Sequence, residues 1–477
     1  MTIPASALLP YDFVVIGGGS AGLTAARFAA RLGRRVAIVE ANRLGGDCTW
    51  TGCVPSKTLI RSANFAHEVR FARRYGIDSG QPGVDWPAIR ARMNSVIQEI
   101  YTSESEEQLR EEGIDAILAP AHFIDPHTLR LRDSTVFGKR FLIATGARPS
   151  IPNIPGLDQV NYLTYETVWD IDCLPQRLLV IGGGPVGCEL AQAFARLGTE
   201  VTLFEATNRI LGQDEPEVSK LIAEMLVSEG VEIVLRHPVE LVRTSNGKVI
   251  ITSGIHEWTG DSLLVAAGRL PNLEGMGLEN AGVTYSRNGL PVDRFLRTSQ
   301  RHIYGAGDCT GGPQFTHYAG WQGFMAARNA LLPGRSRGIR DGVPWGVFTD
   351  PEVAHAGLTE AEARRRFGDK VQAMNWPLKN ADRAIIDGAG EGFIKATTLA
   401  NGRLLGASIV APRAGEMIHE WAVAIDRRMR LGDLASAIHT YPTYSMSAMQ
   451  MAAEDSVSRL LSGYSGRVVR ALLRFSK

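Results

Sequence analysis

The sequence predicts an α/β fold, on three observations. One motif occurs twice: residues 11–40 read YDFVVIGGGSAGLTAARFAARLGRRVAIVE, and residues 177–205 read RLLVIGGGPVGCELAQAFARLGTEVTLFE. Each copy runs from an apolar strand into GxGxxG, then a helical pattern, then a second apolar strand ending in Glu. From about residue 343 the pattern changes to strands and helices with no phosphate loop. Together these predict two Rossmann-like dinucleotide-binding domains and a separate C-terminal α+β domain. The length of 477 residues allows two to four domains of roughly 150 residues each.

The first loop carries Gly17, Gly19 and Gly22, and the second Gly182, Gly184 and Gly187. The first glycine of each allows a tight turn. The second lets a pyrophosphate approach backbone N–H groups, and the third lets helix pack on strand. The helix N-terminus favours the pyrophosphate charge. Glu40 and Glu205 close the two units, where a carboxylate can accept from ribose hydroxyls. Two dinucleotides in one chain suggest electron transfer between them, with FAD and a nicotinamide cofactor as the pair. Glu205 favours NADH, because its charge would repel a 2′-phosphate. Arg209 lies close enough in sequence to soften that preference, so NADPH stays open.

Between and after these units, residues 54–66 and 86–112 show helical periodicity, and 114–145 read as short strands and turns. Residues 231–267 alternate like strands and end in LLVAAGRLPN. Residues 301–308, RHIYGAGD, form a short strand leading to a glycine-flanked acid. Lys plus Arg is 51 against 50 for Asp plus Glu, a net charge of +1. That balance supplies no electrostatic reason for nucleic acid as a partner. Five widely spread cysteines do not make a disulfide framework. The first residues lack a basic n-region, and no apolar run reaches ~18 residues. A cytoplasmic enzyme without membrane contact is the expectation. The tail has an apolar stripe, Val468, Val469, Leu472 and Leu473, among basic residues. It fits packing on its own protein, with an interfacial basic helix as the alternative.

Residues 45–57, GGDCTWTGCVPSK, hold Cys48 and Cys53 five positions apart, with Lys57 four further on. In a reducing compartment such a pair suggests redox chemistry or a metal rather than a structural staple. Two ligands alone do not complete a structural metal site, so no resident metal is expected. Pro55 suits the first turn of a helix, which places Cys53 at a helix N-terminus. There the helix dipole favours the thiolate, and Lys57 one turn on adds positive charge. Cys173, Cys188 and Cys309 read as small packing residues.

Together with ATGARPSIPNIPG at 144–156, AAGRLPN at 266–272, GAGDCTGGPQFTH at 305–317 and VFTDPEVAHAGLTEAEA at 347–363, these stretches resemble the class I pyridine nucleotide–disulfide oxidoreductases. That is the family of dihydrolipoamide dehydrogenase, glutathione reductase and mercuric reductase, and GDCTWTGCVPSK and GDCTGGPQF resemble mercuric reductases most. The resemblance runs nearly end to end. It implies an FAD-binding domain at 1–152, an NAD(P)-binding domain at 153–273, a return segment to the FAD domain at 274–342, and a dimerisation domain at 343–477. It implies a homodimer with one FAD per subunit. In it Cys53 contacts the flavin, Cys48 exchanges with the acceptor, Lys57 pairs with Glu189 near the flavin, and Asp308 holds the ribityl chain. Ala121, Thr145, Gly146 and Gly268 fall at cofactor-binding positions.

The chain departs from the family at its end. Disulfide reductases carry His-Pro-Thr-x-x-Glu, whose histidine shuttles protons for the partner subunit's thiols. Here IHTYPTYSMSAMQ, residues 438–450, sets Tyr441 and Met446 at those two positions. A tyrosine, with pKa near ~10, is a poor base at neutral pH. Mercuric reductases share the tyrosine but carry adjacent C-terminal cysteines, and no cysteine follows Cys309 here. Typical members use NADPH, whereas Glu205 points to NADH, and Pro185 replaces a tyrosine that gates the nicotinamide pocket in many relatives. His439 is either a substitute base or a packing residue. The resulting expectation is NAD(P)H-dependent reduction of a thiol-reactive acceptor through Cys48 and Cys53. That acceptor would be Hg(II), a disulfide or a quinone-like compound, free or thiol-bound. Dihydrolipoamide dehydrogenase activity is the second enzyme reading, and a redox-sensing flavoprotein the non-enzymatic one.

Overall fold

The structure is a computed structural model, described here over residues 10–461. It divides into two compact units. One holds the chain up to Gly182 with Arg196–Thr202 and Val239–Arg340; the other holds Gly183–Ala195, Leu203–Pro238 and the chain from Asp341 onward.

The first unit is built on the first glycine-loop motif. Strand β1 (Phe13–Ile16) is buried along its whole length, as a central parallel strand requires. Helix α1 (Ser20–Arg31) buries Ala21, Leu23, Ala25, Ala26 and Ala29, and β2 (Val36–Glu40) returns parallel to β1 with Phe13 opposite Val36. The sheet runs in the order Ile303–Gly305, Phe141–Ile143, β1, β2, Ile114–Leu118. Phe13, Val15, Ile38, Leu142 and Ala306 form its core with the alanine face of α1. Helix Thr316–Leu331 lies against α1. A Cβ on Gly323 would stand 2.1 Å from the Ala21 carbonyl oxygen, so only glycine permits this approach.

After β2 come the short helix α2 (Gly46–Trp50) and α3 (Cys53–Arg70). The helix expected at 54–66 therefore begins at Cys53 and extends to Arg70. The periodicity over 86–112 resolves into two helices, α4 (Trp86–Thr102) and α5 (Glu106–Glu111). The break falls where Ser105 turns its hydroxyl to accept from Gln108 N at 3.2 Å, a cap that starts a new helix. Asp85 caps α4 in the same way through Ala88 N at 3.0 Å. Strand Arg177–Ile181 of the second motif pairs in parallel with Ser262–Val265. Cys188 and Cys309 are buried packing residues, as expected. Cys173 is exposed, which corrects its reading as packing.

The second unit contains a five-stranded antiparallel sheet, ordered Trp345–Val347, Glu352–Gly357, Leu404–Ala411, Phe393–Leu399, Val371–Pro377. Helices Ala414–Asp426 and Met446–Leu461 contribute Met417, Trp421, Ala448 and Met451 to its core. Lys395 is buried in this unit and meets three carboxylates, Glu215 at 3.1 Å, Glu217 at 2.9 Å and Glu360 at 2.8 Å. Surrounding acids of that number hold the ammonium charged despite its burial. Among the described residues no helix is long and apolar enough to cross a membrane.

His355 lies 1% exposed with its ring stacked 4.1 Å from that of Trp345. Its Nδ1 meets Ser408 Oγ at 2.7 Å and its Nε2 the Gly357 carbonyl at 3.2 Å, which satisfies a neutral ring. Burial lowers its pKa to about 4, against the weaker raising effects of that carbonyl and Glu362. Below ~6.5 the unfolded chain takes up a proton that the folded ring refuses, so stability falls as pH drops from ~6.5 towards 4. The loss amounts to about 3 kcal/mol over that window. His355→Gln should show a shallower fall of thermal midpoint across it than the parent protein, measured by calorimetry.

Candidate functional site

The first glycine loop is shaped by contacts that a side chain would block. Gly17 has φ +108°, and a Cβ there would lie 2.3 Å from the Ala144 carbonyl oxygen; one on Gly22 would lie 1.9 Å from the Gly17 oxygen. At Gly19, by contrast, a Cβ would meet only Gly46 Cα, at an ordinary contact distance of 3.7 Å, so this position is less crowded than its neighbours. Glu40 is held by two backbone amides, Gly18 N and Asn42 N, both at 2.7 Å. Other positions expected to bind a cofactor are held by contacts to segments far along the chain. Thr145 Oγ1 donates to the Asn272 carbonyl at 2.5 Å, Asn272 N to Gly146 O at 3.0 Å, and Ser150 N to Gly268 O at 2.9 Å. Ala121 lies partly buried against the core beneath β1. Glycine geometry that only a bare backbone allows, and a fixed carboxylate, thus fit a dinucleotide.

The second loop repeats the device. Glu205 accepts from Gly183 N at 2.9 Å and from Thr207 N at 2.8 Å. Gly184 has nothing within 4 Å of a Cβ position, and Gly187 is buried within helix Pro185–Arg196. Gly182, in the first unit, has φ +115°. Arg209 turns its Nη2 onto the Gly212 carbonyl at 2.7 Å.

The redox stretch is fastened to the first loop. Gly45 N donates to Gly18 O at 2.8 Å, and a Cβ on Gly46 would stand 2.7 Å from Gly19 Cα. Trp50 Nε1 donates to Leu44 O at 2.7 Å, and Thr49 Oγ1 to Glu104 at 2.8 Å. Cys48 lies in α2, half-buried. Cys53 is the first residue of α3 and is exposed, with Thr316 Oγ1 3.6 Å from its sulfur. A hydrogen bond with Cys53, then burial, pushes the Cys48 thiol far up, so Cys48 keeps its proton. Lys57 is half-buried one turn into α3.

Four residues that the sequence reading did not assemble surround this pair. Arg269 Nη2 lies 2.7 Å from Asp47 Oδ2 and 3.2 Å from Asp308 Oδ2. Its guanidinium stands 4.9 Å from the Tyr165 ring centroid, and Tyr165 Oη is 3.4 Å from Asp47. Burial raises the pKa of Asp47 and of Asp308, with Arg269 opposing the rise in both. Asp47 and Arg269 were visible inside the quoted motifs, but no spacing connects positions 47, 165, 269 and 308.

In the second unit, Glu189 is 5% exposed and accepts from Phe348 N at 2.9 Å. Tyr441 is 65% exposed and donates to Asp382 at 2.9 Å. That hydrogen bond and the Asp382 charge raise its pKa further, making it a still poorer base. Met446 opens the helix Met446–Leu461. His439 Nε2 meets Glu420 at 2.8 Å and Nδ1 meets the Ala437 carbonyl at 2.8 Å. Burial acts to lower its pKa, but these two acceptors outweigh it and raise it. With acceptors at both nitrogens the ring suits the doubly protonated form, which supports a packing role over that of a base. Among the described residues no group of three or more His, Cys, Asp or Glu is placed to hold a metal ion.

Residues 11–323 match the pyridine nucleotide-disulphide oxidoreductase family, and residues 343–452 match that family's dimerisation domain. The chain therefore belongs to the class I pyridine nucleotide–disulfide oxidoreductases, which are FAD-dependent and use NAD(P)H. Mercuric reductase from Shigella flexneri is 37% identical over 453 residues, covering 92% of this chain and 80% of the relative. Dihydrolipoyl dehydrogenase from Chlamydia pneumoniae is 32% identical over 443 residues, covering 91% and 95%. A solved Cu(II) complex of the HOCl-induced flavoprotein disulfide reductase RclA from Escherichia coli superposes with a TM-score of 0.85. It is 31% identical and covers 94% of this chain and 99% of that one.

With Glu205 fixed at the end of its strand, Glu205→Ala should weaken NADH several-fold more than NADPH, read as separate KM values. Equal losses would remove Glu205 from the ribose.

Proposed function

We propose that the protein is an NAD(P)H-dependent reductase, NADH preferred, that passes electrons through FAD and the Cys48–Cys53 pair to a thiol-reactive acceptor in the manner of mercuric reductases. The observation that carries this is the pairing of the two sulfurs on a loop tied directly to the phosphate loop. FAD, when bound, would accept hydride from the nicotinamide and pass an electron pair to the disulfide. The residues that would hold it are the Gly17–Gly22 loop, Glu40, Ala121, Thr145, Gly146 and Asp308; Gly182, Gly184, Gly187, Glu205 and Gly268 serve the nicotinamide cofactor.

Over one cycle NAD(P)H and one proton reduce the disulfide to two thiols. The dithiol returns to the disulfide as Hg(II) takes two electrons and two protons leave. Cys53, at a helix N-terminus, serves as the flavin-side thiolate. Cys48, which keeps its proton in the dithiol, is the exchanging thiol. Lys57 would pair with Glu189 and favour negative charge beside the flavin. Tyr441 would face the acceptor as a metal-side group. Its exposure leaves it reachable there, and its raised pKa counts against proton shuttling.

The ranges 1–152, 153–273, 274–342 and 343–477 are proposed as the FAD, NAD(P), return and dimerisation segments. The dimerisation domain supports a homodimer, and Ile385, Ile386, Val423, Ile438, Val457 and Leu460 in it are exposed apolar groups of the kind an interface covers. A cytoplasmic setting agrees with two thiols that must cycle. Disulfide reduction is the second reading, favoured by the dihydrolipoyl dehydrogenase relative; the absence of a histidine at 441 counts against it.

Anaerobic NADH consumption with thiol-complexed Hg(II), compared with oxidised lipoamide, is the deciding measurement. The expected result is turnover with Hg(II) and at least ~10-fold less with lipoamide. The reverse ratio would overturn the metal reading. Cys53→Ser should abolish the long-wavelength thiolate–flavin absorption of the two-electron-reduced enzyme, and persistence of that band would take Cys53 off the flavin side.

A further inference from the structure

We propose that Asp47 is a positioning residue that tunes the Cys53 thiolate, by occupying the Arg269 guanidinium that otherwise draws charge onto that sulfur. This rests on the assignment of Cys53 as the flavin-side thiolate. Asp47 immediately precedes Cys48, in the first turn of α2. Its carboxylate lies 2.7 Å from Arg269, which is shared with Asp308 at 3.2 Å. The guanidinium is confined there. The Tyr165 ring stands 4.9 Å away on one side, and Arg269 Nε is buried with no partner among the described residues. The loop bearing Tyr165 is itself tied to the redox loop, since Trp169 Nε1 donates to Thr51 O at 3.0 Å and to Tyr165 O at 2.7 Å.

The charges decide the direction. Arg269 contributes one positive charge, Asp47 and Asp308 one negative charge each. The Cys53 thiolate interacts attractively with Arg269 and repulsively with Asp308. Cys48, Thr316, Arg269 and Asp308 interact with the sulfur, and Asp47 in turn interacts with Arg269, Tyr165 and Glu166. Lys57 and the helix dipole push the thiolate towards stability, while the paired acids hold it back. A thiolate kept more basic is the stronger electron-pair donor. Removing the Asp47 charge while keeping its shape leaves Arg269 less neutralised, and the Cys53 thiol should then titrate lower.

The test uses the FAD-loaded, two-electron-reduced enzyme. The pH midpoint of Cys53 is read in two ways: by the rate of iodoacetamide alkylation located by peptide mass, and by the thiolate–flavin absorption. Asp47→Asn should lower both midpoints by ~0.5–1 unit, so that alkylation below the midpoint is about two- to four-fold faster once the weaker nucleophilicity of a less basic thiolate is counted. The gain should shrink at acid pH, where the parent Asp47 is itself protonated. Asp47→Glu should restore the parent midpoint. Asp47→Thr removes the same charge and gives an independent measure should the amide variant fold poorly. Midpoints unchanged in both neutral variants would overturn the role of Asp47 while leaving Cys53 in place. Alkylation at Cys53 with no flavin band in the parent enzyme would instead overturn the assignment on which the inference rests.

Discussion

The site depends on one close approach of two backbones. Gly45 N donates to Gly18 O, and Gly46 faces Gly19 across a gap too small for a Cβ. This pins the redox loop onto the phosphate loop that opens α1. Everything downstream follows from it. Cys48 is carried on the next turn, Thr51 ends that turn, and Gly52 leads into α3, which starts at Cys53 and so sets this cysteine at the positive end of the helix dipole. Glycines that look like loop filler in the sequence are the reason two cysteines reach a dinucleotide site.

The electrostatics around this loop pull in opposite directions, and the balance makes the surroundings of the two sulfurs unequal. Cys48 is raised by its hydrogen bond to Cys53 and by burial. Cys53 sits at a helix start with Lys57 one turn on, while Asp47 and Asp308 share Arg269 nearby. A pair of identical residues is made unequal by position rather than by type. At the other end of the chain, Tyr441 and His439 are each committed to a local acid, Asp382 and Glu420. Neither offers the free imidazole nitrogen that a disulfide reductase uses. The proposed chemistry accordingly leans on the inner cysteines and on an acceptor that binds sulfur.

The sequence by itself determined the class of fold, because the repeated strand–GxGxxG–helix–strand–Glu pattern has few other physical meanings. It also displays the paired cysteines, the glutamate that closes each glycine-loop unit and the tyrosine at 441, since each is a matter of residue type at a known spacing. Element boundaries were less legible. The split between α4 and α5 turns on the Ser105 hydroxyl choosing the backbone, which periodicity does not register. The exposure of Cys173 was likewise hidden, because cysteine is compatible with core and surface alike. Only the tertiary structure decided which distant residues meet. Asp47, Tyr165, Arg269 and Asp308 come together because the chain returns to the first unit after its second glycine loop. The reason is physical: local pattern encodes which face of a strand or helix is apolar, whereas the company a charge keeps depends on how those faces are stacked.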